Sequence, residues 1–208
     1  MTSREYYEGL WQRVPEGLAP ADFDVRRRFL LDHVAAGARV LDVGCGEGRF
    51  AAELARAGAL AVGIDVAEEP LRRARARHPE LDLRLVDGDG AWDLADADFD
   101  VVWAGEVIEH VADTAAWLSE VRRVLRSGGT LLASTPANGR LALMRSAVST
   151  RAFAERFDPL SDHLRHYSRE TLTALLEAFG FEAISVQSAA GPPGARRLLL
   201  ASAVRSRF

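Results

Sequence analysis

Residues 40–50 read Val-Leu-Asp-Val-Gly-Cys-Gly-Glu-Gly-Arg-Phe, a short apolar strand running into glycines at every second position. Gly44, Gly46 and Gly48 at a strand-to-helix turn let the chain bend sharply and let a ligand approach the main chain closely. The spacing is G-x-G-x-G, a neighbour of the G-x-G-x-x-G dinucleotide fingerprint and not a match to it. A pyrophosphate wants an uncluttered helix N-terminus, and Glu47 at that point would repel it. The loop therefore suits a nucleoside without a phosphate.

Glu106, Glu109 and His110 form a second group. If a helical turn follows the preceding strand, these i, i+3 and i+4 positions share one face. Two carboxylates and an imidazole then converge at the carboxyl end of the sheet, where α/β proteins bind ligands. Asp162-His163-Leu164-Arg165-His166 supplies two further histidines. A Glu, Glu, His, His set suits a divalent cation with open positions for substrate oxygens. Other readings stay open: Glu106 bordering a cofactor, His110 packed and hydrogen-bonded, His163 or His166 as a general base or as surface residues. Cys45 is a nucleophile in principle, and more simply a small packing residue of the loop.

The elements that must position these groups alternate between strand and helix, which predicts a mostly parallel sheet covered on both faces. Strands are expected at 39–43, 60–64, 81–86, 99–103, 130–134, 181–187 and 197–204, with helices at 22–33, 47–57, 68–77, 114–125 and 168–179. Acids open the 68–77 helix and arginines close it, as the helix dipole favours. Ser168-Arg169-Glu170 opens the last helix like a capping sequence, with the acid one place earlier than a capping box wants. Gly191-Pro192-Pro193-Gly194 reads as a turn, so the last two strands form an antiparallel hairpin at the edge of the sheet. Residues 137–167 interrupt the alternation and read as a partly helical insertion over the strand ends. Tyr6, Tyr7 and Trp11 form a lid or a packing arm. Arg26-Arg27-Arg28 and the arginines from Arg72 to Arg77 read as solvated helix faces.

The loop at 40–50 resembles motif I of the class I S-adenosylmethionine-dependent methyltransferases. Further stretches resemble that family in order: the strand ending in Asp65, Asp87-Gly88-Asp89, 99–103, 106–111, 125–131 and 134–136. The resemblance implies a doubly wound, seven-stranded, mostly parallel sheet with an antiparallel last strand. It implies S-adenosylmethionine as cofactor. Gly44, Cys45, Gly46 and Gly48 would surround its amino-acid and ribose end. Asp42 would fix the loop or reach the cofactor ammonium through water. Asp65, with Val66 behind it, would accept the ribose hydroxyls or else act as a helix N-cap. Asp89, with Asp87 as rival, would meet the adenine, beside Gly90, Ala91 and Trp92. Glu-x-x-Glu-His is similar to the motif of the ubiquinone-biosynthesis O-methyltransferases. It is also similar to that of the small-RNA 3′-terminal 2′-O-methyltransferases, where it holds a metal. Carried over, the ligands of Mg²⁺ or another divalent ion would be Glu106, Glu109, His110 and His163. The expected catalytic residues are His163, His166 and Glu106.

Bulk properties bound the function. The chain has 208 residues, enough for one domain with a sizeable core, here a single domain over 1–208 with a helical lid at 1–36. Its 26 basic residues are all arginine, and the net charge of −4 argues against a nucleic-acid partner. One cysteine excludes an intrachain disulfide and suits a reducing compartment. The first 20 residues lack an apolar signal core, and no apolar run spans a bilayer. The expected location is the cytoplasm. The expected activity is methyl transfer to a small molecule, most simply at oxygen, because Ala104-Gly105-Glu106-Val107 is not the Asn/Asp-Pro-Pro-Tyr of nitrogen methyltransferases. The rivals are a 2′-O-methyltransferase on an RNA end and a cofactor-binding partner subunit without catalysis. A nicotinamide dehydrogenase fits the loop least well.

Overall fold

Val40-Leu41 and Val101-Val102-Trp103 are apolar without alternation, and strands of that kind bury both faces in a parallel sheet. They do so here. The computed structural model describes residues 2–207 except 89, 159, 193 and 194, and leaves the side chains of 140–142 outside the description. The strands are β1 Arg39–Val43, β2 Leu60–Asp65, β3 Asp82–Leu85, β4 Phe99–Gly105, β5 Leu125–Pro136, β6 Phe181–Ala189 and β7 Leu198–Arg205. The helices are α1 Ser3–Trp11, α2 Phe23–Asp32, α3 Arg49–Arg56, α4 Glu68–Arg77, α5 Thr114–Val124, α6 Arg140–Val148, α7 Thr150–Arg156 and α8 Arg169–Ala178. The sheet order is β3-β2-β1-β4-β5-β7-β6. β7 runs antiparallel to both β5 and β6, and the remaining pairs are parallel. This is the expected doubly wound sheet with its antiparallel last strand. The expected turn between β6 and β7 falls partly on Pro193 and Gly194, which lie outside the described residues.

Side chains alternate across the central strands, so one strand feeds two cores. Leu41, Val102 and Ala104 join Trp117, Leu118, Val121, Leu172 and Leu176 beneath α5 and α8. Val40, Val101 and Trp103 join Phe29, Leu30, Phe50 and Leu54 beneath α2 and α3. Helix ends follow local chemistry. Asp113 accepts from the Ala116 amide at the start of α5. At α8 the capping box is closed by Thr171 and not by an acid: Ser168 and Thr171 each take the other's backbone N–H. Glu170 instead accepts from Ser168 Oγ at 2.8 Å. The 1–36 stretch carries two helices, α1 and α2, and the 137–167 insertion carries α6 and α7. β5 is longer than expected because the chain enters it directly from α5, where Leu125 pairs with Phe99. Among the described residues no helix is long and apolar enough to cross a membrane.

Candidate active site

β1, β2 and β4 end on one side of the sheet, and their tips bound a cavity of about 830 Å³. Gly44 follows β1 at φ 66°, a left-handed conformation that favours glycine. A Cβ there would stand 2.7 Å from Val107 Cγ2. Asp65 closes β2. Its Oδ2 accepts from the Gly46 amide at 2.9 Å and its Oδ1 from the Ala67 amide at 3.0 Å. Burial pushes its carboxyl above the usual range, and the amide bonds work against that. Each oxygen keeps a further lone pair, so a buried carboxylate faces the cavity with acceptor capacity left.

The expected cofactor residues divide into two sets. Gly44, Asp65, Val66, Gly90 and Glu106 line the cavity, with Ala91 and Trp92 beside them. Asp42, Cys45, Gly46 and Gly48 support it from behind. Asp42 is buried and accepts from the Ala51 amide at 3.0 Å, tying the loop to α3, and burial lifts its carboxyl to about 7. Cys45 packs with Leu71, Ala74 and Leu83, which agrees with a packing role, and burial pushes its thiol up. A Cβ at Gly46 would meet the Trp11 ring at 3.0 and 3.1 Å, and one at Gly48 would meet Ala74 Cβ at 3.3 Å. Asp89 lies outside the described residues, and Asp87 is not among the residues that line the cavity.

Glu47 corrects the phosphate argument. Its carboxylate does not face the cavity. It accepts from Gly17 N at 2.9 Å and pairs with Arg73 at 3.3 Å and with Arg77. These partners hold its pKa below the usual range despite burial. The loop spacing still departs from the dinucleotide fingerprint, but repulsion by Glu47 plays no part. The same contacts correct the reading of the arginines. Arg73 is only 6% exposed. Arg26 is 3% exposed, stacked over Phe50 and Trp103, with its Nε lacking a hydrogen-bond partner among the described residues.

The second cluster forms on a turn, not on a helix. Glu106 sits at φ 59°, an uncommon conformation for a residue with a side chain. Its carboxylate accepts from Ser134 Oγ at 2.9 Å. Glu109 is 1% exposed. Its Oε2 accepts from Thr135 Oγ1 at 2.9 Å, while its Oε1 has no hydrogen-bond partner among the described residues. Burial, reinforced by Glu106, lifts its carboxyl to about 8. His110 Nδ1 lies 3.0 Å from the Asp162 carbonyl, so its Nε2 faces Glu109 Oε1 at 3.9 Å. The Leu164 and Arg165 amides donate to the Glu109 carbonyl and bring His163 to His110, with ring centroids 4.8 Å apart. Potential ligand atoms of Glu109, His110 and His163 lie within 4.8 Å of one another. Glu106 is therefore not brought into the cation set. Of Glu109, His110 and His163 only His110 lines the cavity, and His166 does not: it is exposed and faces the Phe157 ring at 6.3 Å.

The sequence reading assigned no role to Ser134 and Thr135 beyond their order in the chain, and it did not name Asp162 as a partner of His110. Their signal is tertiary. Ser134 and Thr135 lie near the end of β5, where Ser134 pairs with Gly105 of β4, and their hydroxyls meet the two glutamates there. Tyr7 of α1 also lines the cavity, edge-on to His110 at 6.1 Å.

Comparison with known proteins agrees with this geometry. A family model described as a methyltransferase domain matches residues 10–186. A Mycolicibacterium smegmatis protein named as an S-adenosylmethionine-dependent methyltransferase is 38% identical over 82% of this chain and 64% of its own length. The ubiquinone biosynthesis O-methyltransferase of Dinoroseobacter shibae is 36% identical over 71% of this chain and 61% of its own. The chain thus spans a little under two thirds of these relatives. The crystal structure of an S-adenosylmethionine-dependent methyltransferase from Mesorhizobium loti shares the fold. Its TM-score is 0.71 at 24% identity, over 91% of this chain and 99% of that one. The chain belongs to the class I S-adenosylmethionine-dependent methyltransferases.

Proposed function

We propose that this protein transfers the methyl group of S-adenosylmethionine to a hydroxyl oxygen of a small-molecule acceptor. One observation carries the reading: a single cavity at the strand tips is lined by the glycine loop, by buried Asp65 and by the Glu106–His110 turn. The residues present fit the cofactor. Asp65 accepts the ribose hydroxyls, the bare backbone at Gly44 allows close approach, and Gly90, Ala91 and Trp92 take the base. Asp42, Cys45, Gly46 and Gly48 hold that backbone in place. Asp89 is kept as a candidate for the adenine amino group. When bound, S-adenosylmethionine supplies an electrophilic methyl group on a sulfonium. The chain then has to orient the acceptor, exclude water and receive the hydroxyl proton.

Glu109, His110 and His163 would hold a divalent cation, and the partnerless buried Glu109 Oε1 beside two imidazoles supports that fit. Such an ion lowers the pKa of an acceptor hydroxyl. Glu106 borders the cofactor and the acceptor, its charge offset by Arg26. His163 is the better candidate of the two late histidines, because His110 and Glu109 meet it. Residues 1–36 act as a lid and 137–167 as the acceptor-side insertion of one domain over 1–208. Net charge −4 favours a small acceptor over nucleic acid. A buried free Cys45 suits a reducing setting, and we place the activity in the cytoplasm.

The test is formation of S-adenosylhomocysteine and methylated product by mass spectrometry, across catechols, phenols, amines and an RNA 3′ end, with Mg²⁺ or EDTA. The expected result is turnover of hydroxylated aromatics that EDTA and His163→Ala both depress. Turnover of amines or RNA alone would overturn the acceptor reading, and indifference to EDTA would remove the metal.

A further inference from the structure

α1 and the turn after it form one wall of the cavity through Ser3, Tyr7, Leu10, Trp11 and Val14. Yet no residue of α1 is buried, and no described residue before position 19 belongs to the core clusters. Polar fasteners attach this strap. Arg4 donates to the Val86 carbonyl at 3.2 Å. Glu8 Oε2 accepts from the Glu68 and Glu69 amides at 2.8 and 3.1 Å. It thereby caps α4, whose own N-cap, Ala67, offers no side-chain acceptor.

Arg73 of α4 is the central fastener. Its Nη2 donates to the Trp11 carbonyl at 2.9 Å and its Nη1 to the Val14 carbonyl at 2.8 Å. The same guanidinium meets Glu47 at 3.3 Å and Glu69 at 2.7 Å. Glu47 lies inside the glycine loop and also accepts from Gly17 N at the far end of the strap. One buried fork therefore ties the strap to the loop, with the Trp11 ring seated on the bare backbone at Gly46. A segment held by hydrogen bonds and giving nothing to the core can detach while the core stays folded.

We propose that residues 2–17 are a latched gate over the cavity, with Arg73 the positioning residue that fastens the gate to the glycine loop. The claim that the gate controls cofactor exchange rests on the cavity being the cofactor site; the latch itself does not. Two variants test it. Arg73→Lys keeps the charge but loses the fork, and Glu8→Ala removes the α4 cap at a residue outside the cavity lining, whose charge Asp65 nonetheless feels. Hydrogen exchange of amides in residues 5–14 should quicken by about tenfold in each, while β4 amides stay unchanged. Stopped-flow tryptophan fluorescence with S-adenosylhomocysteine should show both association and dissociation speeding up, as loosening a gate requires. Loss of a structural contact would speed dissociation alone. Unchanged exchange in both variants would overturn the latch, and faster dissociation with unchanged or slower association would overturn the gating. A wild type that never binds S-adenosylhomocysteine would instead contradict the cofactor reading, with the exchange arm still deciding the latch.

Discussion

The two walls of the cavity are built differently. The strand-tip wall rests on groups that the core itself fixes: Gly44 just after β1, Asp65 held by two amides, Glu106 held by Ser134. The covering wall consists of α1, the turn after it and the start of α5, with Asp162 the one described residue of 137–167 that reaches it. The insertion carries most of the exposed large apolar side chains of the described chain, among them Val148, Phe153, Phe157 and Leu160. The first wall is fixed by backbone and buried hydrogen bonds, so on the proposed function changes there should cost stability and cofactor affinity together. In the second, α1 is attached by hydrogen bonds and gives nothing to the core, so on the proposed function changes there should alter access while the fold persists.

The largest effect that would sharpen this contrast is Gly44→Val. It places a β-branched side chain at φ 66° with Val107 2.7 Å from its Cβ. Thermal melting should show a loss of about 2 kcal/mol or more, with cofactor binding abolished. Thr135→Val comes next. It strips Glu109 of the hydrogen bond to Oε2 while Oε1 already lacks one. Urea unfolding should register a loss of about 1–3 kcal/mol.

Asp42 gives a smaller, pH-dependent effect. Burial lifts its carboxyl to about 7 in the folded protein, above the value near 4 of an unfolded aspartate. Between those values the folded chain keeps a proton that the unfolded chain has lost. Stability therefore falls as pH rises through that window and levels off above it. Asp42→Asn stays neutral and still accepts from Ala51, so its Tm should fall less between pH 5 and pH 7.5 than that of the wild type. Equal slopes would contradict the assignment. The smallest effect belongs to the 137–167 insertion, at a position outside the cavity lining. Phe157→Ser, at a 51% exposed position, should change stability by no more than about 0.5 kcal/mol and leave S-adenosylhomocysteine affinity unchanged. A larger loss would mean that the insertion carries more of the fold than its exposure indicates.

The same contrast explains what was legible in the sequence. Strand order, the glycine turn and Asp65 at the tip of β2 follow from short-range pattern: apolar runs, turn glycines and the spacing of one βαβ unit. The strap's attachments do not. Glu47 looked like a charge facing the ligand because its partners Arg73 and Arg77 lie a helix away in the chain. Arg26 and Arg73 looked solvated because neighbouring arginines are, and only packing decides which member of a run is buried. Glu106, Glu109 and His110 do share a turn, but Glu106 takes a left-handed backbone and its carboxylate engages Ser134, so only Glu109 and His110 gather with His163. No local rule gives a glutamate that conformation.

The most direct test of the central claim is calorimetric titration of S-adenosylhomocysteine into the wild type and Asp65→Ala. Micromolar binding to the wild type, weakened by about 10–100-fold in the variant as loss of a charged hydrogen-bonding group implies, is the predicted result. No binding to a folded wild type, or equal binding to both proteins, would contradict the assignment of the strand-tip cavity to the cofactor.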